Sequence, residues 1–278
     1  MLEIPDSHNI ALQLAKMLRG KTILNAYANT SPHGFAWYFG DPEGYQNVLG
    51  GRTVEGARAV GGRVEIIAQD ARIVLCDGIN IRYLSPGEKQ PPKHQLLVEF
   101  NDFSAIVCTV SMYGGLWAYR EGENNNGYYL GSLEKPNPLT EDFDEAYFRS
   151  LLVGLKPRLS AKAVLATEQR IPGLGNGVLQ DILFNARINP RTRLEALTEA
   201  DLGRMYRSVK DTLMEMTARG GRDTEKDLFG CPGGYRTKLS AKTWKEPCPV
   251  CGDTIVRQAF LGGNIYYCPT CQPLAEAK

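Results

Sequence analysis

Four cysteines near the end of the chain have the spacing of a metal site. They form the pairs Cys248-Pro-Val-Cys251 and Cys268-Pro-Thr-Cys271, with 16 residues between the pairs. Two such knuckles can direct four thiolates at one tetrahedral zinc ion. Four protein thiolates leave no open coordination position, so we expect one structural Zn²⁺ ion rather than a catalytic one. Disulfide bonds are the alternative, and they are disfavoured if the chain is cytoplasmic.

A glycine-rich segment before a predicted helix could bind a phosphate. Gly173, Gly175 and Asn176 stand immediately before the helical pattern of residues 177–187. Glycine lets a backbone approach a ligand closely, and a helix N-terminus offers unpaired N–H groups and a positive dipole end. The alternative is an ordinary corner between two helices. Because no strand precedes the segment, the pattern argues against a dinucleotide-binding fold.

The elements that would position these residues change character along the chain. A helix is expected over residues 7–19, capped by Asp6 or Ser7 and ended by Gly20. Short β-branched and aromatic runs between residues 22 and 119 predict a β-sandwich or barrel. A polar stretch at 121–127 and a pair of prolines in 135–138 indicate a boundary or linker. Helices then follow, predicted over residues 140–155, 159–170, 177–187 and 198–216.

Charge is distributed unevenly between the two halves. Residues 1–150 contain 13 Lys and Arg against 18 Asp and Glu, whereas residues 151–278 contain 19 against 13. The halves therefore carry −5 and +6, and a basic half suits a polyanion such as nucleic acid. Two ordinary domains with unequal surfaces would give the same numbers. No apolar run is long enough to span a membrane, and no signal peptide is evident, so we expect a cytoplasmic protein.

Several motifs together resemble one family. The segment IPGLGNGVLQDILFNARINP (171–190) is similar to the helix-two-turn-helix signature of the formamidopyrimidine-DNA glycosylase and endonuclease VIII family. The cysteine-bearing tail resembles that family's zinc finger, and the segment 223–235 resembles its loop over the everted base. The opening MLEIPD is similar to the family's M-P-E-L-P-E. The resemblance implies an α+β, multidomain fold, with a β-sandwich and flanking helix (1–132), a helix-two-turn-helix domain (139–222) and a zinc finger (240–273).

The resemblance also implies a chemistry for the first residues. In the family, an N-terminal proline amine attacks the sugar C1′ of a damaged nucleotide, expels the base and forms an imine, while a nearby glutamate assists as acid. Glu3 matches that glutamate, although a surface carboxylate is the alternative. Leu2 stands where the family has proline, and a bulky second residue ordinarily keeps the initiator methionine. The expected nucleophile is therefore the amine of Met1, one residue further from Glu3.

Some of the positions expected to contact DNA differ from the family pattern. Arg63 aligns with a family lysine and keeps its charge, but it cannot act as an amine. The family's P-R-R-F-G segment corresponds to VSMYG (110–114), in which Met112 could wedge and Tyr113 could stack. Asn176 is retained, whereas the arginine of the zinc finger falls on Gly263. Fewer cations predict weaker binding at physiological salt.

Three hypotheses follow. The first is a DNA repair enzyme of base excision, a glycosylase and abasic-site lyase that forms a Schiff base through the Met1 amine or an alternative lysine, with Glu3 as acid. The second is a non-catalytic relative that binds damaged DNA and has lost the nucleophile. The third, a ribbon module for RNA or protein, explains the zinc but not the opening, and retention of Glu3-Ile4-Pro5 favours the first. We expect a monomer at the nucleoid that binds double-stranded DNA with a damaged base or abasic site.

Overall fold

The chain folds as two compact units. In the computed structural model, which describes residues 2–275, the first unit comprises Met1–Leu133 and Gly220–Gly234. The second comprises Glu134–Arg219 and Tyr235–Lys278. The segment 220–234 thus returns to the first unit after the chain has entered the second.

The first unit contains two β-sheets and a long helix. One sheet has the strand order β1-β7-β8-β6 and the other has the order β2-β9-β5-β4-β3. The helices of this region are α1 (Ile4–Leu18), α2 (Tyr45–Leu49) and α3 (Gly127–Glu134), the last between the two segments predicted as a boundary or linker. The strands are β1 (Ile23–Ala28), β2 (Ala36–Tyr38), β3 (Gly56–Val60), β4 (Arg63–Ala68), β5 (Ala71–Leu75), β6 (Ile79–Leu84), β7 (Leu96–Phe100), β8 (Ala105–Val110) and β9 (Gly114–Arg120).

Both sheets bury apolar side chains in one core with α1. Alternate residues of β6 are buried, and the apolar face of α1 contributes Ile10, Leu14 and Leu18 to the same cluster. Burial of such side chains is worth about 1.5–3 kcal/mol each and drives the packing. Nearly all strands were predicted; β3 and α2 were missed because their sequences are short and contain few strong strand or helix formers.

The start of α1 differs from the prediction. The N-cap is Glu3 rather than Asp6 or Ser7, and the backbone N–H of Glu3 donates to Asp6 Oδ2 at 3.3 Å. Pro5 lies in the first turn, where its missing N–H costs nothing. The helix therefore begins at Ile4, three residues before the predicted start, and it includes the residues that matched the family opening.

The second unit is helical and ends in a two-stranded ribbon. Its elements are α4 (Glu145–Ser150), α5 (Ala161–Ala166), α6 (Asn176–Ala186), α7 (Glu199–Ala218), β10 (Val256–Phe260) and β11 (Gly263–Tyr267). Thr198 and Asp201 form a capping box at the start of α7. The helix predicted from Thr140 instead begins after Asp144, whose carboxylate accepts from the N–H of Tyr147 at 2.6 Å. The predicted α+β fold is confirmed.

Among the residues that the structure describes, no helix combines the length and the apolar character needed to cross a membrane.

Candidate active site and DNA-binding residues

The four predicted zinc ligands meet at one point in the second unit. The Sγ atoms of Cys248, Cys251, Cys268 and Cys271 all lie within 4.8 Å of one another. Two of these distances are 3.4 Å, between Cys251 and Cys268, and 3.8 Å, between Cys248 and Cys271. A tetrahedron with Zn–S bonds of about 2.3 Å has sulfur–sulfur edges of about 3.8 Å. The cysteines therefore fit one structural Zn²⁺ ion, as predicted.

A buried charge cluster lies at the start of α1 in the first unit. Glu3 and Asp6 are each only 3% exposed, and Arg222 lies between their carboxylates. The guanidinium contacts Asp6 Oδ2 through Nη2 at 2.6 Å and Nε at 3.1 Å, and Glu3 Oε2 through Nη1 at 3.3 Å. Glu3 is therefore not the surface carboxylate of the alternative interpretation.

The charges of this cluster depend on one another. Burial alone would lower the pKa of Arg222, but the negative charges of Glu3 and Asp6 outweigh burial and raise that pKa above its ordinary value. A third carboxylate, that of Glu225, lies 3.9 Å from the guanidinium. One guanidinium balances the charge of one carboxylate, so the acidic groups exceed it.

Two glycines allow Arg222 to reach this position. Gly220 and Gly221 have φ angles of +75° and +96°, which L side chains rarely adopt. A Cβ atom on Gly221 would lie 3.2 Å from Asp6 Oδ1, so the close approach to α1 also requires glycine. The turn is tied to α1 by Asn9, whose Nδ2 donates to Gly220 O at 2.9 Å.

Leu2, the main departure from the family pattern, is part of the core. Its side chain is buried and packs with Ile10 in the main cluster of the first unit. Both side chains also line a pocket of 760 Å³ that the segment 224–230 borders. Met1, the expected nucleophile, lies outside the described residues.

The predicted wedge residues lie at the end of β8. Met112 is 70% exposed, and the ring of Tyr113 lies 5.8 Å from that of Trp37 at an interplanar angle of 30°. Tyr113 donates its hydroxyl to Asp77 Oδ2 at 3.4 Å. Burial raises the pKa of Asp77, and burial followed by the charge of Asp77 raises that of Tyr113. An exposed apolar tip beside an anchored aromatic ring has the form of a base-stacking wedge.

Arg63 turns partly inward at the start of β4. Its Nη1 donates to Ser132 Oγ at 3.1 Å, and its Nε is buried without a hydrogen-bond partner among residues 2–275. The charge also lies close to the thiol of Cys76, whose pKa burial raises to about 12. The side chain is thus only partly available to a phosphate in this conformation.

Asn176 is joined in the second unit by a lysine that the sequence did not single out. Asn176 Nδ2 donates to Asn264 O at 2.9 Å, and its Oδ1 is buried without a hydrogen-bond partner in the part of the chain that the structure describes. A Cβ atom on Gly263 would lie 3.5 Å from this Nδ2 and 3.7 Å from Lys162 Nζ. Lys162 donates to Phe260 O at 2.7 Å. A cation therefore lies beside the position where the family's arginine is missing.

Sequence reasoning missed Arg222 and Lys162. The consecutive glycines before Arg222 indicated an unusual turn, but they did not indicate that its side chain would face residues more than two hundred positions earlier. Lys162 lies on a short helix whose pattern predicts only an amphipathic surface. Both side chains are 3% exposed, and burial of a charged residue cannot be recognised without its partners.

Known proteins resemble the chain both in its zinc-binding segment and over nearly its full length. Residues 245–274 match the model of the zinc finger found in FPG and IleRS. A formamidopyrimidine-DNA glycosylase from Bacillus anthracis is 29% identical over 280 residues, which cover 98% of this chain and 99% of that protein.

Two solved structures from Lactococcus lactis share the fold. Fpg in complex with DNA containing an abasic site is 24% identical with a TM-score of 0.83, over 97% of this chain and 99% of that one. Fpg in complex with DNA containing N7-benzyl-Fapy-dG is 24% identical with a TM-score of 0.84, over 98% and 99%. At this identity the two structures establish the fold alone.

Proposed function

We propose that this chain, a divergent relative of the formamidopyrimidine-DNA glycosylases over nearly its full length, is a DNA repair glycosylase and abasic-site lyase. Its substrate is double-stranded DNA that contains a damaged base or an abasic site. The alternative of a non-catalytic DNA-binding relative is not favoured, because the full-length relatives are glycosylases by name. We further propose that the protein acts as a monomer in the cytoplasm, at the nucleoid where its substrate lies.

The buried cluster of Glu3, Asp6 and Arg222 is the observation that carries the proposal. The sugar ring opens more readily when a proton is supplied to O4′, and general acids contribute roughly 10²–10⁴-fold to rate. Glu3 is shielded from water, held in place by a guanidinium 3.3 Å away, and next to a pocket that can receive a base.

The proposed reaction begins with the amine of Met1. Its lone pair attacks C1′ of the nucleotide, and the base leaves with the electrons of the glycosidic bond. Glu3 supplies a proton as the sugar ring opens, so that O4′ becomes a hydroxyl and C1′ forms an imine with the amine. Loss of a proton from C2′ then expels the 3′ phosphate, and water releases the sugar fragment from the amine.

Replacement of proline by Leu2 moves the nucleophile but does not remove it. An α-amino group has a pKa of about 7.7–8.0, so an unprotonated fraction is present near neutral pH whichever side chain follows. Because Leu2 is anchored in the core and Glu3 begins α1, the backbone next to Met1 has a fixed starting point. We propose that this anchoring brings the Met1 amine within reach of the sugar.

The remaining contacts divide between the two units. In the first, Met112 and Tyr113 occupy the gap left by the everted nucleotide, and Arg63 contributes positive charge. In the second, Asn176 binds a phosphate of the damaged strand, and Lys162 replaces the missing zinc-finger arginine. Burial lowers the pKa of Lys162, and a phosphate next to its ammonium group would favour the charged form. We propose that residues 1–132, 139–222 and 240–273 act as the catalytic, helix-two-turn-helix and zinc-finger domains.

Reductive trapping tests the proposal directly. The protein is incubated with duplex DNA containing an abasic site in the presence of borohydride, which reduces an imine to a stable amine. We expect a covalent adduct that peptide mass spectrometry assigns to Met1. If the protein bound the same DNA tightly but formed no adduct, the proposed enzymatic activity would be refuted. An adduct on an internal lysine would refute only the assignment of the nucleophile to Met1.

The role of Glu3 is tested by Glu3→Gln. This variant keeps the shape of the side chain but cannot donate a carboxylic proton, so we expect base release to slow by about 10²–10⁴-fold. The dissociation constant for DNA with an unreactive abasic-site analogue should change far less. Glu225→Gln provides the control, since that carboxylate is partly exposed and lies further from the guanidinium. Equal rate losses in both variants would contradict the assignment.

A further inference from the structure

A further carboxylate of the first unit, that of Asp77, is only partly hydrogen-bonded. Asp77 follows β5, and its Oδ1 atom is buried without a hydrogen-bond donor among residues 2–275. A buried polar atom without a partner costs about 1–3 kcal/mol, and more where the group is charged. Asp70, at the other end of β5, is by contrast exposed and paired with Arg52 and Arg120.

The turn that carries Asp77 is fixed against the segment that carries Tyr113. Gly78 has a φ angle of +80°, and a Cβ atom there would lie 1.8 Å from Tyr113 O. A Cβ atom on Gly114 would lie 3.2 Å from Asp77 O. The two glycines let the two backbones touch, and Tyr113 donates its hydroxyl to Asp77 Oδ2 at 3.4 Å. The carboxylate is therefore held at one oxygen, while the other oxygen can still accept a hydrogen bond or a proton.

Electrostatic effects connect Asp77 to the charge cluster at the start of α1. Burial raises the pKa of Tyr113, and the charges of Asp77 and Glu3 raise it further, so both carboxylates act on one hydroxyl. Burial also raises the pKa of Asp77, and the charge of Glu225 raises it further. The carboxylate of Glu225 lies 3.9 Å from the guanidinium of Arg222, which contacts Glu3. Asp77 is thus within electrostatic range of the cluster.

The first residues of the chain and the Asp77 turn border the same pocket. Leu2 and Ile79 are both buried in the main core cluster, and both line the pocket of 760 Å³. Asp77 precedes Ile79 by two residues, and Met1 precedes Leu2 by one. One residue spans at most about 3.3–3.6 Å, so the amine and the carboxylate each belong to a short segment that starts from this pocket.

We propose that Asp77 is the general base of the reaction, which accepts a hydrogen bond from the Met1 amine and takes the proton that this amine loses. The inference rests on the proposed function, and it assigns a proton transfer that the acid Glu3 does not perform. Tyr113 is a positioning residue, because it holds the carboxylate of Asp77 through Oδ2. Two carboxylates thus divide the work, since Asp77 removes a proton and Glu3 supplies one.

The proposed step conserves protons and electrons. The lone pair of the amine forms a bond to C1′, while the base leaves with the electrons of the glycosidic bond and takes a proton from water. The nitrogen is then positively charged, and Asp77 Oδ1 takes one of its protons. The restored lone pair forms the imine as the bond between C1′ and O4′ breaks, and Glu3 gives its proton to O4′. A carboxylate with a raised pKa suits this role, because a general base works best when its pKa approaches the operating pH.

Acetylation of the Met1 amine tests the contact without DNA. Acetic anhydride reacts with the unprotonated amine, and mass spectrometry of the N-terminal peptide measures the extent from pH 5 to pH 10. A carboxylate beside an ammonium group favours the charged form, so Asp77→Asn should lower the pH midpoint of acetylation by about one unit or more. Tyr113, Glu225 and Cys76, which also act electrostatically with Asp77, are the same in both proteins. An equal midpoint in the wild-type protein and Asp77→Asn would overturn the inference.

The matched control for this variant is Asp70→Asn. It removes an exposed carboxylate from the other end of the same strand and should leave the midpoint unchanged. If circular dichroism shows that Asp77→Asn is unfolded, Asp77→Ser makes the same test with a smaller polar group.

The rate of borohydride trapping on abasic-site DNA tests the role as a base. We expect Asp77→Asn to slow single-turnover adduct formation by roughly 10²–10⁴-fold, with little change in the dissociation constant for the duplex. Tyr113→Phe keeps the ring and the carboxylate and loses only the hydroxyl, so its rate should fall much less. If Asp77 served only to hold Tyr113, the two variants would lose the same rate, and that result would refute the assignment.

The two measurements separate this inference from the proposed function. A Met1 adduct that forms at the full rate in Asp77→Asn overturns the inference and leaves the enzyme. A shifted midpoint of acetylation in a protein whose wild-type form gives no adduct supports the contact between Asp77 and the amine, but it refutes the proposed function and with it the role of Asp77 as a base.

Discussion

The zinc site and the charge cluster at the start of α1 are both compact constellations of four or fewer side chains, yet they are built in opposite ways. The zinc ligands lie within one continuous segment of the second unit, between Cys248 and Cys271. The charge cluster joins Glu3 and Asp6 to Arg222, which is 216 positions after Asp6. The first site is defined by spacing, whereas the second depends on a chain that leaves its unit and returns.

This difference affects how each site fails. In a small zinc ribbon, metal binding supplies much of the free energy of folding. Loss of one ligand therefore unfolds the structure around the site. In the charge cluster, loss of one member leaves the other charges buried and uncompensated. A single substitution at the zinc site should therefore unfold part of the second unit. A single substitution in the charge cluster should instead destabilise the first unit through uncompensated charge.

The largest effect is expected at the zinc site. Cys268→Ser should abolish stoichiometric zinc, because structural zinc sites in small peptides contribute about 10–16 kcal/mol of apparent binding free energy. We expect local unfolding of residues 245–274 and loss of DNA binding, measured by metal analysis, hydrogen exchange and electrophoretic mobility. Cys231→Ser, at an exposed cysteine outside the cluster, is the control and should retain the metal. Normal zinc content in Cys268→Ser would contradict the assignment of the ligands.

The next effect concerns the charge cluster. Arg222→Met should lower the free energy of unfolding by about 3–5 kcal/mol, since it leaves the carboxylates of Glu3 and Asp6 buried without their cation. Urea denaturation measures this loss. Arg236→Met is the matched control, because that arginine is 81% exposed and should change stability by only about 0.5 kcal/mol. If Arg222→Met lowered the free energy of unfolding by no more than the control does, the guanidinium would not be what holds the cluster together.

A smaller effect on stability is expected at a third site, where backbone N–H groups hold a buried carboxylate without a cation. Asp181 in α6 accepts from the N–H groups of Lys238 at 2.9 Å and Leu239 at 2.8 Å. Burial raises its pKa to about 6, above the ordinary value of 3.8. Because the folded-state pKa is the higher one, Asp181 stabilises the fold fully below about pH 4, and this contribution of about 2–3 kcal/mol is lost as pH rises through 6.

The measurement is the difference in unfolding free energy between the wild-type protein and Asp181→Asn from pH 4 to pH 8. We expect the wild-type advantage to be greatest at pH 4, to shrink between about pH 4 and pH 6, and to stay level at higher pH. Other carboxylates titrate in both proteins, so their contributions cancel in the difference. An advantage that grows with pH would mean that the carboxylate is stabilised in its charged form.

Local sequence signals predicted most of the fold. Thr198 and Asp201 have the spacing of a capping box, and the structure confirms it. Most strand runs were recognised because alternating burial produces a pattern with a period of two. The errors are at boundaries: the helix expected from residue 140 begins only after Asp144, and the helix between the two segments predicted as a boundary or linker was not recognised. Both are places where several polar residues could cap or terminate a helix, and packing decides among them.

Local patterns were enough to identify the zinc ligands, the order of sheet and helix, and Glu3 as a candidate catalytic residue, because each depends on residues close together in the chain. The positions of Arg222 between Glu3 and Asp6, of Leu2 in the core and of Lys162 beside Gly263 became visible in the folded chain. Burial and charge pairing are properties of distant segments brought into contact. The energies of burial and charge pairing depend on the residues that surround each group in the fold, and these come from several separate stretches of sequence.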